Sequence, residues 1–161
     1  MIDIRYLEKE DLFLIQTFIL KEKKFFEKFF NLGWSYKNIK NHFHKENNIS
    51  IGYFYNDILL GILIGEKILG DNNFDLDIHI MFIEKTKRRK KIGTKILNFI
   101  DKNKEILNIA EIRIEVSEKN LKEINFYEKN NFVFYKFRHN YYKENNISIN
   151  AKCYKKIIKY E

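Results

Sequence analysis

The 161-residue chain is 45% hydrophobic and 32% charged, enough apolar material for a core that folds without staples and unlike a disordered or collagen-like chain. It has no run of about eighteen apolar residues and no basic-then-apolar leader, so a cytoplasmic protein is expected, and a single cysteine, Cys153, excludes an internal disulfide. Thirty Lys and Arg against 22 Asp and Glu leave a formal charge of +8, which favours acidic partners, whether nucleotide-like ligands, acidic peptides or nucleic acid.

Ile2, Ile4 and Tyr6 alternate as a short strand, and Glu10-Asp11 then precede an apolar-periodic helix through Leu12, Ile15, Ile19 and Leu20. An aromatic stretch, Phe25 to Phe30, leads to Gly33-Trp34-Ser35, where Ser35 suits the cap of a short helix with Ile39 and Phe43 on its inner face. Two strands follow, Ile49 to Tyr55 and Ile58 to Ile68, joined by the hairpin turn Asn56-Asp57. A Gly70-Asp71-Asn72-Asn73 turn introduces a third strand, Phe74 to Ile83. Ile92, Ile96, Leu97, Ile100 and Leu107 mark one helix of about four turns. Ile112, Ile114 and Val116 alternate with Glu111, Arg113 and Glu115 in the next strand. A helix from Leu121 to Lys129 is expected to bury Leu121, Ile124 and Tyr127, with Asn130-Asn131 ending it in a left-handed turn. Phe132 to Arg138 and Ile149 to Ile158 are the last strands. With no repeat or linker, this order predicts one α/β domain over residues 1–161, a mixed sheet whose ligands enter at the strand C-terminal ends.

One such end carries the run Lys85-Thr86-Lys87-Arg88-Arg89-Lys90-Lys91-Ile92-Gly93-Thr94, directly before a helix. A helix N-terminus is partially positive, so each cation beside it costs on the order of 0.3–1 kcal/mol, and an anion is expected there. Backbone N–H groups at a helix start already cradle phosphates. The run therefore reads as a pyrophosphate cradle or, equally on charge alone, as a solvated basic face or a nucleic-acid patch. His42, His44, His79 and His139 are scattered without cysteine partners, so no metal is expected, and Cys153 reads as a small buried strand residue.

Arg88-Arg89-Lys90-Lys91-Ile92-Gly93 resembles the Q/R-x-x-G-x-G/A acetyl-coenzyme A motif of the GCN5-related N-acetyltransferases (GNAT), with Lys91 where the family prefers its first glycine. Glu115-Val116-Ser117-Glu118-Lys119-Asn120 and Tyr127-Glu128-Lys129-Asn130-Asn131-Phe132 resemble the family's E-V-x-x-x-N and Y-E-K-x-G-F segments at the family's spacing. Trp34-Ser35 and Arg138-His139-Asn140-Tyr141-Tyr142 resemble the W-S and R-x-x-Y-Y segments of its ribosomal-protein-alanine N-acetyltransferase branch. The resemblance implies a mostly antiparallel sheet of about seven strands, splayed at the cofactor site and flanked by about four helices.

It also implies roles. Arg88, Arg89, Lys90, Lys91, Ile92, Gly93 and Thr94 would hold the pyrophosphate of acetyl-CoA, main-chain groups of Met81, Phe82 and Ile83 its pantetheine arm, and Asn120 its pantetheine or phosphate portion. Acetyl transfer from a thioester needs a neutral amine, an oxyanion donor and a proton for the thiolate. Glu115 would take the amine's proton and Tyr127 would protonate the thiolate. Without the resemblance, Glu115 reads as a solvent-facing strand carboxylate, Tyr127 as core and Asn120 as a helix cap. His79, two residues before Met81, reads first as a packed strand histidine and second as a base.

The branch implies as acceptor the N-terminal alanine of a small-subunit ribosomal protein, with Trp34 and the run Phe29-Phe30 facing Tyr141 and Tyr142 across a peptide groove; Phe29 and Phe30 equally read as core. At neutral pH roughly 10–20% of an α-amine is neutral, against well under about 0.1% of a lysine, so an N-terminus asks less of the base. The competing expectations are a polyamine, an aminoglycoside or a protein lysine as acceptor, and a non-enzymatic acetyl-CoA sensor or RNA-binding domain. Retention of Glu115 and Tyr127 argues against the last, so nucleic acid is not the expected partner, and a monomer or weak homodimer is expected.

Overall fold

In the computed structural model, which describes residues 1–70 and 73–160, seven strands are hydrogen-bonded in the order β1-β2-β3-β4-β5-β7-β6. They are β1 (Ile2–Tyr6), β2 (Asn48–Tyr55), β3 (Ile58–Leu69), β4 (Phe74–Ile83), β5 (Ile109–Ser117), β6 (Val133–Glu144) and β7 (Ile147–Ile157). The helices are α1 (Leu12–Lys21), α2 (Lys23–Asn31), α3 (Tyr36–His42), α4 (Ile92–Lys102), α5 (Lys104–Leu107) and α6 (Leu121–Lys129). The chain groups into two compact units, Met1–Lys67 with His79–Asn103 and Ile68–Ile78 with Lys104–Glu161, so that β4 contributes to both.

In the first unit β1 and β3 pair antiparallel with β2. Asn56 and Asp57 turn the β2–β3 hairpin with φ of 48° and 63°, the left-handed pair that a two-residue turn of this hand requires. Ser35 caps α3 as expected, its Oγ accepting from the Asn38 N–H at 3.2 Å. The core gathers Ile15, Phe18 and Ile19 of α1, Phe26 and Phe29 of α2 and Ile39 of α3 over Ile62, Ile64, Ile80 and Phe82 of the sheet. The aromatic stretch is thus a helix in its own right, its Phe26, Phe29 and Phe30 at the i, i+3, i+4 spacing of one face, and three helices precede the hairpin rather than two. Phe29 is core, as one of its two sequence readings held, and Phe30 packs partly buried against that core. On β3, a Cβ at Gly61 would come within 2.7 Å of Ile83 Cδ1 and 3.2 Å of Ile92 Cγ2, so the glycine lets α4 lie close on the strand.

The expected four-turn helix ends earlier, at Lys102. Asn103 leaves helical geometry with its side chain donating to the Phe99 carbonyl at 2.7 Å, a local competitor for the helix ladder. Leu107 then belongs to the short α5, and among the described residues there are six α-helices where about four were expected.

In the second unit β4 pairs parallel with β5 from Phe74 to Ile78, and β7 pairs antiparallel with β5 and β6. The expected Gly70–Asn73 turn includes Asp71 and Asn72, which lie outside the described residues. Leu121 is a correction: it is exposed, while α6 buries Ile124 and Tyr127. Steps of three lag the helical period by about 60° each, so Leu121 stands about 90° from the centre of the Ile124–Tyr127 stripe. Asn131, at φ 67°, supplies the left-handed turn after α6. β6 and β7 run longer than expected because Asn145 and Asn146, both left-handed, close them into a hairpin.

Candidate active site

The first unit carries the basic run. Helix α4 starts at Ile92, no side chain caps it, and its hydrogen-bond ladder begins with the Lys95 N–H on the Lys91 carbonyl at 2.9 Å. The N–H groups of the first turn thus face outward beside four exposed cations, Arg88 to Lys91. Arg89 and Lys91 are left-handed at φ 62° and 59°. A left-handed residue followed by a right-handed one turns successive N–H groups into a concave anion site, and Lys91–Ile92 is such a pair. This is the fit a pyrophosphate asks for. Lys91 occupies the conformation for which glycine is preferred, which explains the family's choice at that position.

Two buried carboxylates hold the loop from beneath. Glu84 accepts from Lys21 Nζ at 3.0 Å and Thr86 Oγ1 at 2.7 Å, and Glu22 accepts from the Lys85 N–H at 3.2 Å. Burial raises the Glu84 carboxyl, but these donors more than offset it and hold it below the usual range. Arg88 donates from Nε to the Ile83 carbonyl at 3.2 Å and lies over the Phe82 ring. Along the strand Met81 and Ile83 are half-buried and Phe82 points into the core. Neither anchoring glutamate stood out in the sequence; each lies at an element boundary, the one signal available.

Also in this unit, Trp34 is half-buried, its ring 5.0 Å from that of His79 and 5.5 Å from that of His42. Burial lowers both imidazoles below the ordinary histidine value. The unfolded chain therefore binds more protons than the folded one below about pH 6.5, and stability falls as pH drops through that value. Thermal unfolding followed between about pH 7.5 and pH 5 should show this fall, and His42→Gln, which cannot titrate, should flatten part of it.

The second unit brings together the other sequence-predicted residues except Trp34. Glu115 lies on the half-exposed face of β5 opposite Cys153 of β7, which is buried. Both Glu115 carboxylate oxygens accept from Arg138 Nη1, at 3.0 and 3.1 Å. The Arg138 guanidinium in turn sits 4.1 Å from the Tyr141 ring centroid. The β6 register slips between Arg138 and Tyr142, around left-handed Asn140, whose N–H donates to Asn150 Oδ1 at 3.1 Å. Such a bulge re-aims side chains, and here the Tyr142 hydroxyl donates to the Glu115 carbonyl at 3.2 Å. Tyr127 is fully buried between Phe126 and Phe132. Burial first, then the nearby Glu123 charge, push the phenols of Tyr127 and Tyr142 far up, so both stay protonated at any working pH. Asn120 caps α6, accepting from the Glu123 N–H at 3.3 Å and donating to Glu123 Oε2 at 2.6 Å. Arg138 as the partner of Glu115 was visible only as the first letter of R-x-x-Y-Y.

Residues 44–134 match the acetyltransferase (GNAT) domain family. The chain belongs to the GNAT acetyltransferases. As a GNAT protein it is an acetyl-CoA-dependent N-acetyltransferase. Its structure is similar to that of the ribosomal-protein-S18-alanine N-acetyltransferase from Escherichia coli, with a TM-score of 0.78, 18% identity and coverage of 100% of this chain and 96% of that one. A probable acetyltransferase from Staphylococcus epidermidis superposes with a TM-score of 0.79 at 15% identity, covering 99% of this chain and 100% of that one. Arabidopsis thaliana NAA60 in complex with a bisubstrate analogue gives a TM-score of 0.77 at 15% identity over 98% of each chain. No curated protein matches the sequence. Among the described residues no helix of this GNAT chain is long and apolar enough to cross a membrane, and no cluster of side chains is placed to hold a metal ion.

Proposed function

We propose that this GNAT enzyme transfers acetyl from acetyl-CoA to a protein N-terminal α-amine, that of an alanine-starting small-subunit ribosomal protein, in the cytoplasm. The observation that carries the reading is the Glu115 carboxylate held by Arg138 beside Tyr141 and Tyr142. It is a proton acceptor in an aromatic setting. The likeness to the Escherichia coli enzyme, which acts on ribosomal protein S18 alanine, supports the same acceptor class. The α-amine arithmetic supports it as well, since a carboxylate has to capture a proton from a group already partly neutral.

Arg88 to Thr94 hold the pyrophosphate, main-chain groups of Met81 to Ile83 and the Asn120 side chain hold the pantetheine, and Trp34, Tyr141 and Tyr142 receive the peptide. Acetyl-CoA supplies the activated thioester. Glu115 removes the proton that the attacking nitrogen sheds, and the Tyr127 phenol, protonated before the step, gives one to the thiolate and regains a proton before the next turnover. Mass spectrometry on a panel of alanine-starting ribosomal peptides, other N-termini, lysine peptides and polyamines tests the reading. Addition of one acetyl group confined to the alanine-starting peptides is expected. Acetylated polyamines or lysines alone would overturn the acceptor, and coenzyme A binding without any product would overturn the α-amine reading as a whole.

A further inference from the structure

Within the second unit, the surroundings of Glu115 depend on an irregularity of β6. Arg138 pairs with Ala151 and Tyr142 with Ile149, so β6 sets three residues, His139, Asn140 and Tyr141, against one on β7, Asn150. Two extra residues preserve the alternation of faces while bringing Tyr142 to the place that Asn140 would hold in a regular ladder, about 7 Å along the strand. There the Tyr142 hydroxyl reaches the Glu115 carbonyl, while Arg138, at the other end of the bulge, reaches the Glu115 carboxylate. A bulge leaves backbone groups without ladder partners. At its centre the Asn140 N–H is taken by the Asn150 side chain, whose Oδ1 accepts at 3.1 Å. Glu118, just beyond the end of β5, holds Asn150 from the other side. Its Oε1 accepts from the Asn150 main-chain N–H at 3.1 Å, its Oε2 accepts from Nδ2 at 3.4 Å, and its own N–H donates to the Asn150 carbonyl at 3.0 Å.

We propose that Asn150 is a positioning residue for Glu115: its amide, oriented by Glu118, clasps the β6 bulge and so aims Arg138 and Tyr142 at the proton acceptor. The inference rests on the reading of Glu115 given above. A side-chain amide can turn over, exchanging its donor for its acceptor, and its neighbours decide which way it points. The Glu118 carboxylate only accepts and the Asn140 N–H only donates, so one orientation alone satisfies both. Glu118 also stands three residues after Glu115 on the same stretch of chain, so the clasp fixes the bulge against the strand that carries the base. Either partner changed alone breaks the set. Glu118→Gln leaves one acceptor for the two Asn150 donors, and one bond is lost whichever way either amide turns. Asn150→Asp sets two carboxylates against each other. The two substitutions together restore every bond with roles exchanged: the new aspartate accepts from the Asn140 N–H and from the new glutamine amide, whose oxygen still accepts from the main-chain N–H of position 150.

The test measures kcat, coenzyme A affinity and thermal midpoint for wild type, Asn150→Asp, Glu118→Gln and the double variant, on whichever amine the panel identifies. Each single variant should lower kcat about fivefold or more while coenzyme A affinity stays within about twofold of wild type. The double variant should return kcat to within about twofold. A residue that only braced the fold would lower the thermal midpoint without lowering a kcat measured well below it. Single variants with wild-type kcat, or losses that persist in the double variant, overturn the proposal while leaving Glu115 and acetylation of the α-amine intact. A second measurement needs no acceptor: NMR on the full chain should find the Asn140 amide proton exchanging about fivefold or more faster in Asn150→Ala, which removes its acceptor. Unchanged exchange overturns the clasp even if no panel amine is acetylated. Full turnover in Glu115→Gln would be a separate failure, that of the base, and would leave the quickened Asn140 exchange in place.

Discussion

Glu115→Gln is expected to lower kcat by about 10²–10⁴-fold, across the pH range and without recovery in alkali, while coenzyme A affinity stays within about twofold of wild type. The amide keeps the shape of the carboxylate and its oxygen still accepts from Arg138, so the strand geometry survives; only the capacity to take a proton is removed. Stability should barely change, because the Glu115 and Arg138 side chains are 33% and 55% exposed and an ion pair so open to water contributes little. Coenzyme A affinity is the internal control, since in the proposed reading the basic loop and the start of α4, and not Glu115, hold the pyrophosphate. Stopped turnover assays with titration calorimetry check both halves of the expectation. Full activity in the glutamine variant would remove Glu115 from the mechanism, and lost cofactor binding would make it a binding residue instead.

The features legible in the sequence are those governed by neighbours along the chain. Asn56-Asp57 announced a hairpin because two adjacent residues tolerant of left-handed backbone stand between two strand-like runs. Ser35 announced a cap, and the cations before Ile92 announced an anion because their placement was locally unfavourable. The pairs that make a site are a matter of register. Glu118 meets Asn150 only because β5 and β7 are adjacent in the sheet. Arg138 meets Glu115 only because β7 lies between their strands and β6 bulges just beyond the arginine. No spacing rule carries either contact, and motif resemblance reached the second pair without reaching the first. The helical aromatic stretch Phe25 to Phe30 was hidden for a different reason: phenylalanine favours strands, which works against the i, i+3, i+4 spacing of Phe26, Phe29 and Phe30, and the burial of Phe26 and Phe29 agrees with the spacing. Leu121 shows the converse error, an apolar residue assigned to the core by spacing alone when its angular position carries it off the buried stripe.

Lys91 offers the second large effect, because backbone conformation and side-chain charge make opposite demands there. At φ 59° a side chain with a Cβ costs on the order of 1 kcal/mol, and a branched Cβ costs more. The lysine ammonium beside the N-terminus of α4 is also mildly unfavourable in the free protein. Lys91→Gly relieves both, and although glycine adds freedom to the unfolded chain, the thermal midpoint should hold or rise. Coenzyme A affinity should hold or tighten, since Arg88, Arg89, Lys90 and the first-turn N–H groups remain and the backbone can approach the pyrophosphate more closely. Lys91→Ile removes the same charge but forbids the left-handed turn, and should weaken affinity by about tenfold or more with a clear drop in midpoint. Titration with coenzyme A and thermal unfolding with and without it read both quantities. Equal losses in the two variants would mean that the Lys91 ammonium itself grips the phosphate. Loss confined to isoleucine would mean that the backbone shape of the loop carries the site and that the lysine is a tolerated substitute for glycine.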